Sequence, residues 1–236
     1  MKKHQIHTMS ENANIWYLDN FSMMKVLKPH EMMELEKMTV MADVVKNQAV
    51  YFPQDEARTI YFLKKGKVKI SKVSDAGKEI ILSILGPGEI FGELVLAGED
   101  SREDLAVATE DVVICKVNQE RFKELMAKNP DLNFAITKFI GLRIKKIQTR
   151  LENLIFKTSE QRITWFIKDF ATEFGRQLSG FPNQWHVDMK LTHKEIGKLT
   201  ATSRQMVTTV LRDLETKGII KYDRSRIYIL DITQLR

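Results

Sequence analysis

Residues Leu191–Lys221 read LTHKEIGKLTATSRQMVTTVLRDLETKGIIK, two helical patterns parted at Thr200-Ala201-Thr202, where neither glycine nor proline forces a stop. A shaped turn between two helices that cross at a set angle accounts for the break, because it lets the second helix project from the surface. The first helix is expected to start at Thr192-His193-Lys194-Glu195, a capping box in which the threonine accepts from an early backbone N–H and the glutamate reaches back. Ile196 and Leu199 then face inward. The second is expected from Ser203 to Gly218, which can take the left-handed conformation after the last turn. At about 100° per residue, Val207, Val210, Leu211 and Leu214 form one stripe and Gln205, Thr208, Thr209 and Arg212 cluster opposite, with Arg204 on the flank.

That outward face carries amide, hydroxyl and guanidinium groups and no acid in its first two turns, a chemistry suited to base edges and phosphates. A helix N-terminus adds partial positive charge and unpaired N–H groups, so Ser203 and Arg204 suit the point where a duplex comes closest, with Thr192 and Lys194 beside them. Downstream, GIIKYDRSRIYILD reads as a hairpin whose polar turn, Asp223–Arg226, offers Arg224 and Arg226 to the flanking backbone. These parts make a winged helix-turn-helix. Pattern alone also fits a small helical domain with an ordinary solvated face.

Working outward, 236 residues suffice for two domains of ordinary size, although one larger domain also fits. No apolar run approaches the roughly 18 residues of a membrane span, and the start MKKHQIHTMSENAN has no apolar stretch after its lysines, so no membrane partner and a cytoplasmic location are expected. Cys115 is the only cysteine, which excludes an internal disulfide and any cysteine-ligated metal cluster within one chain; its run VVICKV reads as buried. The five histidines show no ligand spacing, and no metal or cofactor is expected. Residues 158–236 hold 13 of the 37 Lys and Arg against 9 of the 31 Asp and Glu, so this third of the chain carries most of the +6 surplus, as a polyanionic partner would favour.

From about Asn47 to Val117, β-rich runs (AVYF, IYFLKKGKVKIS, KEIILSIL, EIFGELVL, AVATEDVVICKV) alternate with glycine or charged turns, as in a barrel or roll. Phe21 to Ala42 reads as a helix packed on it. Asn118 to Asn129 reads as a short helix, and Pro130 opens a second that runs to about Lys157. Along it Ile140, Ile144, Ile147, Leu151 and Leu154 recur at spacings of four and three, a heptad seam, with Lys145, Lys146 and Arg150 as solvated flanks. The same spacing fits an amphipathic helix packed on its own roll. A helix near Glu160–Gly175 and an irregular connector with Gly180 and Pro182 complete the third region. The division expected is 1–129, 130–157 and 158–236.

The order of a glycine-punctuated β-roll, a long helix and a C-terminal helix-turn-helix resembles the CRP/FNR family of bacterial transcription regulators. The segment S-R-Q-x-V-x-x-x-L-x-x-L-x-x-K-G-I-I is similar to its recognition region and LGPGEIFGEL to its cyclic-nucleotide-binding roll. The resemblance implies an α+β fold with a cyclic-nucleotide-binding-like β-roll, a long dimerisation helix and a winged helix-turn-helix. It implies a homodimer that sets two recognition helices in major grooves about 34 Å apart on an inverted repeat of double-stranded DNA, with RNA polymerase as a further partner. Arg204 matches the family's guanine-contacting arginine. Gln205 stands where many members have glutamate, and Thr209 replaces another frequent arginine.

For the roll, the resemblance implies an effector pocket at Gly92, Glu93, Leu94, Arg102, Glu103, Ile147 and Gln148: Glu93 matches the ribose-binding glutamate, and Arg102 the phosphate-binding arginine if one residue is deleted. Glu103 and Asp104 follow it directly, and two acids beside an anionic phosphate oppose its binding, so cyclic AMP is not expected and the effector is unassigned. The family's iron–sulfur sensor needs several cysteines and its haem sensor a roll histidine; residues 31–185 contain no histidine. GPGEIFGEL also fits a turn that merely closes the roll. The rival function is a cyclic-nucleotide-responsive regulatory or scaffolding module without DNA contact. No G-x-x-x-x-G-K-[ST], G-x-S-x-G or H-E-x-x-H occurs, so no enzyme is expected.

Overall fold

The computed structural model describes residues 24–77, 79–188, 191–223 and 226–235. They fall into two compact units, one of residues up to 68 with 85–143, the other of 69–84 with 144 onward.

The first unit opens with a 3-10 turn, Met24–Val26, and helix α1, Pro29–Met38, whose proline lies at the first turn where its missing N–H is harmless. The helix expected over Phe21–Ala42 is shorter at both ends, beginning only at Pro29 and ending at Met38, and residues 21–23 lie outside the described residues. Thr39–Val44 forms strand β1 because its backbone finds a full antiparallel ladder, from Thr39 opposite Val117 to Val44 opposite Val112. Next come β2, Ala49–Tyr51; β3, Thr59–Lys65; β4, Val68–Val73; β5, Glu79–Leu85; β6, Ile90–Phe91; β7, Leu105–Ala108; and β8, Val112–Asn118. One sheet runs β1-β8-β3-β6, and β2 pairs with β7. EIFGELVL is strand only at Ile90–Phe91. Gly92 turns left-handed (φ 71°) and Glu93–Ala97 coils into a 3-10 turn.

Asn118 caps helix α2, Gln119–Lys128, by accepting from the Glu120 and Arg121 N–H groups, and α3 follows as Pro130–Phe156. The core of this unit gathers Leu35, Ile60, Phe62, Cys115, Phe122, Leu132 and Ile136. Cys115 is a buried hydrophobe, as its run implies; burial also pushes its thiol up.

The second unit groups the β4–β5 hairpin (69–84) with the remainder of α3 and everything after it. Helix α4, Ser159–Phe174, starts at a capping box of Thr158 and Gln161. The expected irregular connector is instead a strand pair, β9 (Arg176–Leu178) and β10 (Phe181–Asp188), turning at Gly180 with φ 81°. Pro182 has no N–H to give a ladder, and the register slips between Phe181 and Trp185 where it sits. Then come α5, His193–Thr200; α6, Arg204–Thr216; β11, Ile220–Tyr222; and β12, Arg226–Ile229, in a sheet ordered β11-β12-β10-β9. Ile163, Ile167, Phe170, Val187, Ile196, Val207, Leu211 and Ile227 form one core, joined by Ile81 and Ile84 of the hairpin.

Candidate nucleic-acid interface and effector pocket

The break at Thr200-Ala201-Thr202 is a left-handed residue. Ala201 has φ 51° and ψ 48°, a conformation that costs an alanine about 1 kcal/mol. Several hydrogen bonds hold it there. The Thr202 N–H donates to the Gly197 carbonyl at 2.8 Å. From α4, Arg162 donates to the carbonyls of Thr200 (2.8 Å) and Ala201 (3.1 Å). Gly197 is required because a Cβ at this position would lie 2.8 Å from the Thr202 carbonyl oxygen. Neither Gly197 nor Arg162 was signalled by periodicity; a glycine inside a capped amphipathic helix is the clue that a close approach was needed.

Thr192 starts α5 as expected: its Oγ1 accepts from the Glu195 N–H at 3.2 Å and its own N–H donates to the Glu195 carboxylate at 2.8 Å. Ile196 and Leu199 are buried, as are Val207, Val210, Leu211 and Leu214 of α6. Ser203 caps α6 by accepting from Met206 N–H at 3.1 Å. Lys194, Ser203, Arg204, Gln205, Thr209 and Arg212 are exposed and Thr208 is half-buried. Arg204, Gln205, Thr208 and Thr209 line one open depression. The structure therefore brings four of the expected reading residues, Arg204, Gln205, Thr208 and Thr209, around one depression.

In the wing, Asp223 and Arg226 close the turn: Asp223 N–H donates to the Arg226 carbonyl at 3.0 Å and Arg226 N–H to the Asp223 carboxylate at 2.9 Å. The Arg226 guanidinium lies 3.4 Å from the Asp188 carboxylate, with both side chains more than half exposed. Arg224 lies outside the described residues.

The pocket residues of the roll are engaged with one another. Arg102, 2% exposed, donates to the Gly92 carbonyl at 3.0 Å and to the Thr59 carbonyl, and lies over the Tyr51 ring. Gly92 must be glycine, since its φ is positive and a Cβ would crowd Arg102, Thr59 and Tyr61 at 3.1 Å each. The acid at Arg102 is Glu99, at 3.6 Å, which the sequence reading missed. Burial pushes the Glu99 carboxyl up, and Arg102 opposes that rise. Asp104 hydrogen-bonds the Tyr51 phenol, whose pKa is pushed up by burial and then by Asp104 itself. Glu99 thus joins the acids near Arg102, and Glu103 contributes a backbone N–H to the Glu99 carboxylate. Glu93 is held at 2.6 Å by Arg143 of α3, which also donates to the Ile90 carbonyl. Leu94 is exposed.

Ile140, Ile144, Ile147, Leu151 and Leu154 of α3 are all exposed, from 36% to 63%, and Gln148 is exposed beside them. Phe134, Leu142, Ile155 and Phe156 extend the uncovered apolar surface beyond the heptad. Arg150 is not the solvated flank expected. Its guanidinium donates to the carbonyls of Ile81 (2.7 Å), Leu82 and Leu199 (2.6 Å), and burial lowers its pKa. Lys146 pairs with Glu173 of α4 at 2.5 Å.

Residues 42–129 match the cyclic nucleotide-binding domain family and residues 161–236 the Crp-like helix-turn-helix domain family. A global nitrogen regulator of Nostoc sp. is 30% identical over 186 residues, 78% of this chain and 82% of the relative. The chain belongs to the CRP/FNR family of transcription regulators. A CRP-like cAMP-activated global transcriptional regulator of Mycobacterium tuberculosis is 25% identical, covering 89% of this chain and 92% of its own. In fold, the chain is similar to FixK2 from Bradyrhizobium japonicum (TM-score 0.74, 18% identity, 84% of this chain and 95% of that one). As a CRP/FNR regulator it carries a helix-turn-helix DNA-binding domain, which removes it from the rival class of modules without one. No described helix is long and apolar enough to cross a membrane.

Proposed function

We propose that this CRP/FNR regulator is a homodimer that reads an inverted repeat of double-stranded DNA through α6 and does so without cyclic AMP. The observation that carries DNA reading is the single exposed face of Arg204, Gln205, Thr208, Thr209 and Arg212, free of acid in its first two turns and seated on a helix whose opposite stripe is buried. Thr192 and Lys194 at the start of α5, Ser203 at the start of α6, and Arg226 in the wing are assigned to contacts with the phosphate backbone, which suits their hydroxyl and cationic groups. Dimerisation is supported by the uncovered seam Ile140, Ile144, Ile147, Leu151 and Leu154, since exposed apolar side chains in a heptad lower their free energy by meeting the same seam on a second copy.

Independence from cyclic AMP is supported by the pocket's internal pairing. A cyclic phosphate would have to compete for a guanidinium that already serves the Gly92 and Thr59 carbonyls and has the Glu99 carboxylate 3.6 Å away. A ribose needs the Glu93 carboxylate that Arg143 occupies. Selection of bound duplexes from a random pool by the purified, ligand-free protein tests the whole reading. Enrichment of an inverted repeat is expected; a pool that stays random without ligand and converges when cyclic AMP is added would reverse the effector part.

A further inference from the structure

This inference rests on the DNA-reading proposal and sharpens it at one residue. Thr208 sits at the inner border of the reading face, half-buried, and lines the same depression as Arg204, Gln205 and Thr209. Its hydroxyl is the obvious group to offer a base, yet that hydroxyl is already engaged. Thr208 Oγ1 donates its one hydrogen to the Arg204 carbonyl, one turn back, at 3.0 Å. His193 Nδ1, at the first position of α5, lies 2.9 Å from the same oxygen. Depending on the ring tautomer, Nδ1 either donates to Oγ1 or is a second acceptor for the same hydrogen; in both cases that hydrogen stays within the protein. The ring of His193 lies 6.1 Å from that of Tyr222, beside the wing, and this contact limits its rotation.

The hydroxyl therefore has no donor left for a base edge. Two hydrogen bonds also fix the side-chain torsion, which sets the γ-methyl in one place. We propose that Thr208 reads DNA with its methyl group, recognising the 5-methyl of a thymine in the major groove. Thymine is the base that presents a methyl there, so an apolar contact distinguishes it from the other three. His193 is then a positioning residue, turning the hydroxyl inward and the methyl outward, and the reading face combines polar readers at Arg204, Gln205 and Arg212 with one apolar reader.

The full-length protein and a duplex recovered from the random-pool selection supply the test, with each thymine replaced in turn by deoxyuridine, which keeps every hydrogen bond and removes only the methyl. At one position per half-site this replacement should weaken wild-type binding about fourfold, the effect of one buried methyl group. Thr208→Ser, which keeps the hydroxyl and loses the methyl in both half-sites of the dimer, should bind the thymine duplex about sixteenfold more weakly and be indifferent to the replacement. Thr208→Val, which keeps the methyl shape, should stay within about twofold of wild type. Unchanged thermal melting of both variants excludes misfolding as the cause. Loss in the valine variant with retention in the serine variant, or no thymine whose methyl matters, would overturn the inference while leaving DNA reading intact. A pool that never converges would instead sink the DNA-reading proposal, and this one with it.

Discussion

Arg143 on α3 and Glu93 at the head of the roll's 3-10 turn form a hydrogen-bonded ion pair at 2.6 Å, with side chains 22% and 12% exposed. The partner of the pocket glutamate thus comes from the long helix. Glu99 stands likewise beside Arg102, so both charges that the family resemblance assigns to a nucleotide have protein partners. Such pairs resist displacement, because a ligand must compete with a group already held in place.

Calorimetric titration with cyclic AMP should therefore show no micromolar binding to the unmodified protein. Removing a competing charge by Glu99→Gln should raise affinity for the anion, since that carboxylate lies 3.6 Å from the Arg102 guanidinium. Micromolar binding by the wild type, coupled to tighter DNA binding, would restore a nucleotide-gated mechanism.

Arg204→Ala should relax preference at one base pair per half-site and cost about 1–3 kcal/mol, the worth of one bidentate guanine contact. Gln205→Glu should move preference from adenine toward cytosine at a neighbouring position, because an amide both donates and accepts whereas a carboxylate only accepts. Both are read by repeating the duplex selection. An unaltered base preference in Arg204→Ala would remove that residue from the reading face.

Dimerisation through α3 predicts that Ile144→Lys with Leu151→Lys, two residues 51% and 56% exposed in the single chain, gives a monomer in sedimentation. Exposure makes the test clean, since lysine at these positions disturbs little within one chain. The monomer should retain only weak half-site binding. A double variant that stayed dimeric would relocate the interface, with Phe134 and Phe156 the next apolar residues to probe.

The helices were legible wherever a period and a cap coincide. Asn118, Thr158, Thr192 and Ser203 cap helices that begin within a residue of their expected starts. Strands that depend on a distant partner were not. Thr39–Val44 continues straight from α1 and is a strand only because β8 pairs with it; β10 contains a proline and a glycine precedes it, both loop signals locally. The pocket shows the same limit. Arg102 was legible from its motif, whereas Glu99 and Arg143 act on it and on Glu93 from separate turns, so no spacing rule announces them. Arg150 read as a solvated flank because a guanidinium that ends on backbone carbonyls leaves no trace in a hydrophobic pattern.

The turn that separates α5 from α6 offers a test of local strain. Ala201→Gly should stabilise the protein by up to about 0.5 kcal/mol, the left-handed penalty of about 1 kcal/mol removed less the glycine's greater loss of chain freedom, about 0.5–1 kcal/mol. Gly197→Ala should do the reverse, by about 1–3 kcal/mol, because its Cβ would lie 2.8 Å from a backbone oxygen that cannot move without reshaping the turn. Chemical denaturation measures both. Destabilisation by Ala201→Gly would mean that the alanine methyl makes a contact worth more than the strain.

The last expectation concerns acid. Glu79 on β5 accepts from Lys198 of α5 and from Lys69 of β4 at 2.9 Å, tying the hairpin to the helix that supports the reading head. Burial alone would raise its carboxyl, but the hydrogen bonds from Lys198 and Lys69 outweigh burial and hold it at about 2, below the ordinary 4.5. A carboxyl whose folded value is depressed contributes its full stabilisation above the unfolded value, and that contribution is lost as pH falls from about 4.5 through 2. Glu79→Gln should cost about 1–2 kcal/mol at neutral pH, less than a fully buried pair because the side chain is still 19% exposed. The difference between wild type and variant should shrink steadily as the solution is acidified below pH 4.5 and vanish only below about pH 2, as followed by urea denaturation across that range. A gap that held constant with pH would show that the glutamine loses packing or geometry and that charge pairing contributes nothing to the tie.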